Sequence, residues 1–262
     1  MAYNYNLNFF DEINEESSYF IGLLFADGSI NKKGRVVLNL SKKDIEIIEI
    51  FRKKLKTNKP IFLVENTNSV SFSFQNKIIS EQLNNFGLIP NKSLILKFSE
   101  KIPNEFLKDY IRGYFDGDGC VSIIKRKNTS SLRVHFVGTY EMLEGIQNVL
   151  ISKLNITKTK INQITKDKNT FQFEIRRKND ILLFRDFIYY DNCICLSRKK
   201  EKFFTELELK HEDTLLTSRH KNISYRENRD RWRATFYVGG VRKEKSFKTE
   251  SEALNFLNNI KP

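Results

Sequence analysis

A ten-residue pattern occurs twice in this 262-residue chain. It reads Tyr19-Phe20-Ile21-Gly22-Leu23-Leu24-Phe25-Ala26-Asp27-Gly28 and then Tyr110-Ile111-Arg112-Gly113-Tyr114-Phe115-Asp116-Gly117-Asp118-Gly119. Gly22 and Ala26 are four residues apart, as are Gly113 and Gly117. On a helix that spacing puts both small residues on one face, so each segment carries a stripe almost bare of side chains. Two such stripes let helix backbones approach closely. Gly28 and Gly119 follow the two Asp residues and suit the left-handed position that ends a helix. Packing the helices on each other brings Asp27 and Asp118, 91 residues apart in sequence, together at their C-terminal ends.

Carboxylates held side by side repel unless one is protonated or a cation lies between them. Helix C-termini add partial negative charge and strengthen the pull on a cation. Oxygen ligands that leave room for water suit Mg²⁺, so Asp27 and Asp118 are the expected metal ligands. The chain has 45 Lys and Arg against 32 Asp and Glu, a net charge of +13. That excess points to a polyanionic partner, of which nucleic acid is the commonest. Cys120, Cys193 and Cys195 are an odd number without zinc-site spacing. They are expected to be reduced, in an intracellular setting such as bacterial or phage cytoplasm or an organelle. No run approaches the ~20 apolar residues of a membrane span, so no membrane partner is expected, and the polar start shows no signal peptide.

The segments after the two motifs follow one order. After Gly28 comes a hairpin whose second strand alternates Val36, Leu38 and Leu40 with Arg35, Val37, Asn39 and Ser41, the period of a half-buried strand. A helix from Asp44 through Leu55 leads to a second hairpin, Ile61–Val64 and Ser69–Gln75, and a helix Lys77–Phe86 closes at Gly87. After a connector over 94–103, the second motif is followed by expected strands at 120–125 and 132–137, a helix at 140–154, strands at 158–165 and 170–178, and a helix at 180–189. An internal duplication explains this order. The repeats are expected at 1–98 and 99–210, in an α+β fold of two pseudo-symmetric halves, each a four-stranded antiparallel sheet with helices on one face. Antiparallel sheets commonly leave the other face open. That face would carry Arg35, Asn39, Ser71 and Gln75 in the first half and Arg133, His135 and Arg176 in the second.

The two motifs resemble those of the single-chain LAGLIDADG homing endonucleases, and the likeness covers about residues 17–205. The run 112–119 is the more specific copy, whereas Phe25 stands where the motif name has Asp. The resemblance implies that Asp27 and Asp118 are catalytic metal-binding acids and that Gly22 and Gly113 are the helix-contact glycines. It also implies that two sheets form a saddle on a long, partly asymmetric double-stranded DNA site, and that a monomer cuts both strands across the minor groove to leave short 3′ overhangs. A basic residue near each scissile phosphate is implied as well. Arg176 or Lys178, read as late residues of the last strand, fill that place in the second half. The first half has Ser73 and Gln75 there, so Lys42 or Lys43 would have to compensate. Leu196 to Phe203, with Arg198-Lys199-Lys200, is similar to the Leu-x-Arg-Lys run that follows the last repeat in many members. A non-cleaving nucleic-acid-binding regulator or intron maturase on the same scaffold is the alternative, though acids at both motifs favour cleavage. The initiating Met and the lack of splice-junction residues are read against an intein.

Residues 211–218 are polar and expected to be a linker. Beyond them, residues 219–262 hold 11 Lys and Arg against 5 Asp and Glu, nearly half of the net charge. Strands are expected at 223–226, 231–238 and 241–247, with a Gly239-Gly240 hairpin turn and a capping box, Thr249 with Glu252, opening a helix. Arg231, Arg233, Thr235 and Tyr237 share one face of the central strand. Three strands and a helix around Trp232-Arg233-Ala234 resemble the AP2 DNA-binding domain, which implies that Arg231 and Arg233 contact DNA.

Overall fold

The computed structural model describes residues 3–125, 130–164, 169–208, 220, 222–226 and 229–260. The chain divides into two compact units, residues 1–206 and 207–262; the expected linker lies outside the described residues.

The first unit is built on two helices, α1 (Glu15–Asp27) and α4 (Leu107–Asp118). Asn14 starts α1 by accepting from the Glu16 and Ser17 amides at 2.9 and 3.0 Å, while Ser17 Oγ accepts from the Asn14 amide at 2.9 Å. Such reciprocal caps satisfy the orphan donors of a first turn. Residues 17–25 of α1 and 109–116 of α4 are all buried, because each helix packs on the other through its bare stripe and on its own sheet elsewhere. A Cβ on Gly22 would overlap the Tyr110 carbonyl oxygen and lie 2.9 Å from the Tyr114 amide nitrogen. One on Gly113 would overlap the Tyr19 carbonyl oxygen and lie 2.8 Å from the Leu23 amide nitrogen. Lower down, Gly117 faces the Ala26 methyl group.

The terminating glycines differ from expectation. Gly28 (φ −85°, ψ 161°) and Gly119 (φ −98°, ψ 161°) are extended, not left-handed. Each helix runs straight into a strand, β1 (Gly28–Ile30) or β5 (Gly119–Lys125). Glycine is needed there for space: a Cβ would lie 2.6 Å from the Leu24 oxygen or 2.5 Å from the Phe115 oxygen.

The first half continues through β2 (Arg35–Ser41), α2 (Ile45–Lys54), β3 (Phe62–Val64), β4 (Ser69–Gln75) and α3 (Lys77–Phe86). The second continues through β6 (Ser130–Gly138), α5 (Tyr140–Leu154), β7 (Asn162–Gln163), β8 (Phe171–Ile175) and α6 (Lys178–Ile188), followed by α7 (Ser197–Glu208). The sheets have matching orders, β1-β2-β4-β3 and β5-β6-β8-β7, all pairs antiparallel. The α+β duplication is therefore present strand for strand. The inner faces form matching aromatic cores. Phe20 stacks on Phe51 at 4.6 Å in one, and Phe136 on Phe173 at 5.0 Å in the other.

Two boundaries in the second half are shorter than expected. β7 spans two residues, and β8 ends at Ile175, so Lys178 opens α6 instead of continuing the strand. The helical spacing of the buried Ile181, Phe184 and Ile188 decides this, because it draws 178–188 onto the core as a helix.

Arg112 fastens the closing segment. It is 1% exposed, pairs with Asp109 at 2.8 Å and donates to the carbonyls of Ile188 (3.0 Å) and Ile194 (2.8 Å). Removing one partner of a buried pair strands the other charge, at about 3–5 kcal/mol. Arg112→Met should lower stability by roughly that amount in urea denaturation. A midpoint within error of wild type would show that the pair carries no such cost.

The second unit comprises β9 (Ile223–Arg226), β10 (Arg231–Val238), β11 (Val241–Phe247) and α8 (Glu250–Asn259), with sheet order β11-β10-β9. The expected turn and capping box are both present, with Gly239 and Gly240 at φ 57° and 77° and Thr249 Oγ1 accepting from the Glu252 amide. One sheet face packs on α8 through Ile223, Ala234 and Ala253, with Trp232, Phe247 and Leu257 around them. Trp232 thus serves the core, and Arg233 sits on the opposite face. No helix among the described residues is long and apolar enough to cross a membrane.

Candidate active site

The stripe of small residues places the ends of α1 and α4 side by side. The point where a Cβ of Gly117 would sit is 3.0 Å from Asp27 Oδ2, and the Asp118 charge acts on Asp27, so the two acids lie near each other at the helix ends. Asp27 keeps exposed surface and Asp118 is half-buried, yet both are crowded by protein. Burial first, and the neighbouring Asp118 charge second, raise the Asp27 pKa to about 6. Burial also raises Asp118, against the opposing pull of Lys92, Lys199 and Tyr114. The Tyr114 hydroxyl lies between two acceptors, the Asp118 carboxylate and the Val137 oxygen at 2.9 Å.

The cations acting on this pair are not those expected. Lys92 and Lys199 are 7% and 8% exposed. Lys92 Nζ donates to the Phe25 and Ala26 carbonyls at 2.5 and 2.8 Å, across the end of α1. Lys199 Nζ does the same for α4, donating to Phe115 (2.7 Å), Asp116 (2.6 Å) and Gly119 (2.6 Å), with Gly117 at 3.4 Å. Lysine at a helix C-terminus satisfies carbonyls that lack intrahelical donors. Burial lowers both lysine pKa values, while the carboxylates pull the other way. Lys42 and Lys43, by contrast, occupy an exposed turn before α2. The sequence marked Lys199 only as part of the basic run 198–200 and gave no signal for Lys92 among 45 basic residues. What they share is position, Lys92 following α3 and Lys199 following α6. Because Lys199 serves more carbonyls than Lys92, Lys199→Met should lower the melting temperature more than Lys92→Met. Equal shifts in thermal scans would refute that ranking.

Asp116, which has Phe25 as its counterpart in the first half, is a structural acid. Its Oδ2 accepts from Tyr19 Oη at 2.8 Å and the Leu196 amide at 2.7 Å, tying the closing segment to both motif helices. Burial raises its pKa to about 6, opposed chiefly by Lys199. Arg198 then crosses to the first half, donating from Nε and Nη2 to the two oxygens of Asp44, both at 2.8 Å. That use of Asp44 explains why its side chain makes no cap bond at the start of α2.

The open sheet faces carry the polar residues expected of them. Arg35 and Gln75 are register partners, as are Asn39 and Ser71, and Arg35 Nη2 donates to Ser73 Oγ at 3.0 Å. In the second half, Arg133, His135 and Arg176 share a face with Ser122, Gln172 and Glu174. His135 is half-buried with Nδ1 unpartnered, and burial lowers its pKa. Among the described residues there is no group of three or more His, Cys, Asp or Glu side chains that could hold a metal. The acidic pair fits a cation otherwise: two crowded carboxylates at helix ends, one with its affinity for a proton raised by the other, form a donor set of hard oxygen atoms.

Residues 105–189, the second half, match the family described as LAGLIDADG-like domain. The chain is 32% identical over 166 residues to the DNA-directed RNA polymerase subunit Rpo1C of Methanocaldococcus jannaschii, covering 61% of this chain and 18% of that protein. It is 26% identical over 270 residues to the probable translation initiation factor IF-2 of the same organism, covering 93% of this chain and 21% of that protein. The chain thus spans about a fifth of the length of these curated relatives. Among solved structures, the LAGLIDADG meganuclease I-CpaMI bound to uncleaved DNA has a TM-score of 0.55 at 14% identity, over 77% of this chain and 93% of that one. I-AabMI, also bound to uncleaved DNA, has 0.53 at 16%, over 76% and 92%. The fold is shared with these meganucleases.

Proposed function

We propose that the chain is a site-specific DNA endonuclease of the homing type, which holds Mg²⁺ at Asp27 and Asp118 and hydrolyses one phosphodiester in each strand of a long duplex target. The observation that carries this reading is the meeting of Asp27 and Asp118 at paired helix ends, between two sheets whose open faces carry basic and amide side chains. DNA-bound meganucleases with the same fold support it.

A bound divalent ion would polarise the scissile phosphate and make water a nucleophile near neutral pH. The protein's own part is positional and electrostatic. Each carboxylate takes its place from a helix whose end is fixed by a buried lysine. Lys92 and Lys199 also offset the acidic charge that would repel an approaching phosphate. Arg35, Asn39, Ser71 and Gln75 on one sheet, and Arg133, His135 and Arg176 on the other, face the grooves. Strands can enter the major groove and read base edges. The resemblance assigns the second-half basic role to Lys178, which opens α6. The AP2-like reading of residues 219–262 adds a further duplex contact through Arg231 and Arg233. One chain supplies both acids, which favours a monomer.

The test is a plasmid library with a randomised insert, incubated with purified protein and Mg²⁺, and in a parallel reaction with excess EDTA present from the start. Linear product confined to certain inserts and abolished by EDTA is expected. Binding should also weaken steeply with salt, because phosphate contacts release counterions. No cleavage of any insert, together with salt-insensitive binding, would sink the proposal.

A further inference from the structure

One arrangement of three side chains recurs in both units. On the open face of the second-half sheet, Arg133 of β6 donates from Nε to Ser122 Oγ of β5 at 3.3 Å and from Nη1 to Glu174 Oε1 of β8 at 3.2 Å. In the C-terminal unit, Arg233 of β10 donates from Nε to Ser224 Oγ of β9 at 3.1 Å and from Nη1 to both oxygens of Glu244 of β11, Oε1 at 3.1 Å and Oε2 at 3.2 Å. Each serine is the cross-strand register partner of its arginine. The same Ser–Arg–Glu triplet thus spans three antiparallel strands in two unrelated sheets.

The carboxylates also gather further donors. Glu174 accepts from Gln172 Nε2 at 2.8 Å and Arg176 Nε at 2.5 Å. Glu244 accepts from Nη2 of Arg226 at 3.2 Å and of Arg242 at 3.1 Å. The side chains are partly solvated, Arg133 and Glu174 at 32% and 14% exposed and Arg233 and Glu244 at 23% and 37%. Ion pairs that keep contact with water stabilise a fold only modestly, so the fixed direction of each arginine is the larger consequence of the triplet. A carboxylate in the middle of a face that meets a polyanion repels phosphate and weakens binding. Geometry offers the compensation. A free arginine samples many rotamers, whereas one held by Nε on one side and Nη1 on the other presents its remaining Nη protons in a fixed direction. Guanine, with O6 and N7 side by side in the major groove, is the base that takes an arginine fork.

We infer that Glu174 and Glu244 are positioning residues that hold Arg133 and Arg233 as guanine readers, so that each triplet specifies one G·C pair of the target. This rests on the duplex-DNA reading above. It is tested by selecting bound duplexes from a randomised pool at fixed salt with wild type, Glu174→Gln, Glu244→Gln and Arg133→Lys. Each Gln variant should bind random duplex more tightly yet lose roughly tenfold of the preference for G at one position. Arg133→Lys, which keeps the charge but not the fork, should flatten the same position as Glu174→Gln. Unchanged profiles in both Gln variants, or a different position flattened by Arg133→Lys, overturn the inference while salt-dependent binding keeps the duplex reading intact. Absence of salt-dependent duplex binding by wild type removes both.

Discussion

Asp118→Asn should bind duplex DNA like wild type and fail to cut it. Asparagine keeps the shape of the side chain and an oxygen for the Tyr114 hydroxyl, so the end of α4 and the sheet after it stay in place. What it removes is the charge. With one neutral side chain, the pair no longer favours a divalent ion over water, and an electrostatic contribution to the transition state is lost. Removing a single contributor of that kind commonly costs about 10²–10³-fold in rate. Asp27→Asn should act similarly, because the two acids meet at one place and each perturbs the ion's surroundings. Cleavage of a selected target, followed on a gel beside a binding assay, separates the effects. Retention of wild-type cleavage by Asp118→Asn would falsify the assignment of this residue. Selective nicking by either variant would show that each acid governs one strand.

Gly113→Val should prevent the first unit from folding. Its Cβ would overlap the Tyr19 carbonyl oxygen and press on the Leu23 amide nitrogen at 2.8 Å. Both are backbone atoms in the middle of a buried helix, so no rotamer change relieves the contact. α1 and α4 would have to separate, and with them Asp27 from Asp118, Tyr19 from Asp116 and the two aromatic cores. Destabilisation above ~4 kcal/mol is exceptional and arises from overpacking of this sort, against total stabilities of about 5–15 kcal/mol. Insoluble or unfolded protein is the expected outcome, read by circular dichroism and urea titration. Gly117→Ala meets the Ala26 methyl group instead, a side chain at the less buried end, and should cost less. If Gly113→Val melted with wild type, close backbone contact between these helices would be refuted.

The parts of this protein legible in its sequence are those set by local spacing. Small residues four apart fix one face of a helix, and apolar residues two apart fix one face of a strand. From these follow the paired helices, the duplicated sheets with their polar faces, and the meeting of Asp27 with Asp118. The Thr249 capping box and the Gly239-Gly240 turn are equally local, and both occur where expected. The left-handed ends assigned to Gly28 and Gly119 failed because a glycine after a helix satisfies two demands, positive φ or lack of a Cβ, and only the packing of Leu24 and Phe115 chose the second. Lys178 left the strand because the helical spacing of Ile181, Phe184 and Ile188 outweighed the alternation before it.

The tertiary structure alone decided which distant groups meet. Lys92 reaches carbonyls 66 and 67 residues away, Lys199 reaches others 80 to 84 away, and Arg198 crosses 154 residues to Asp44. A lysine bound to buried carbonyls and a lysine in water read alike in sequence, since the chain around each is polar and the partner is backbone. Likewise Glu174 and Glu244 read as ordinary strand carboxylates until three strands bring arginines to them. Sequence determined where the two acids are; the folded chain determined which cations surround them.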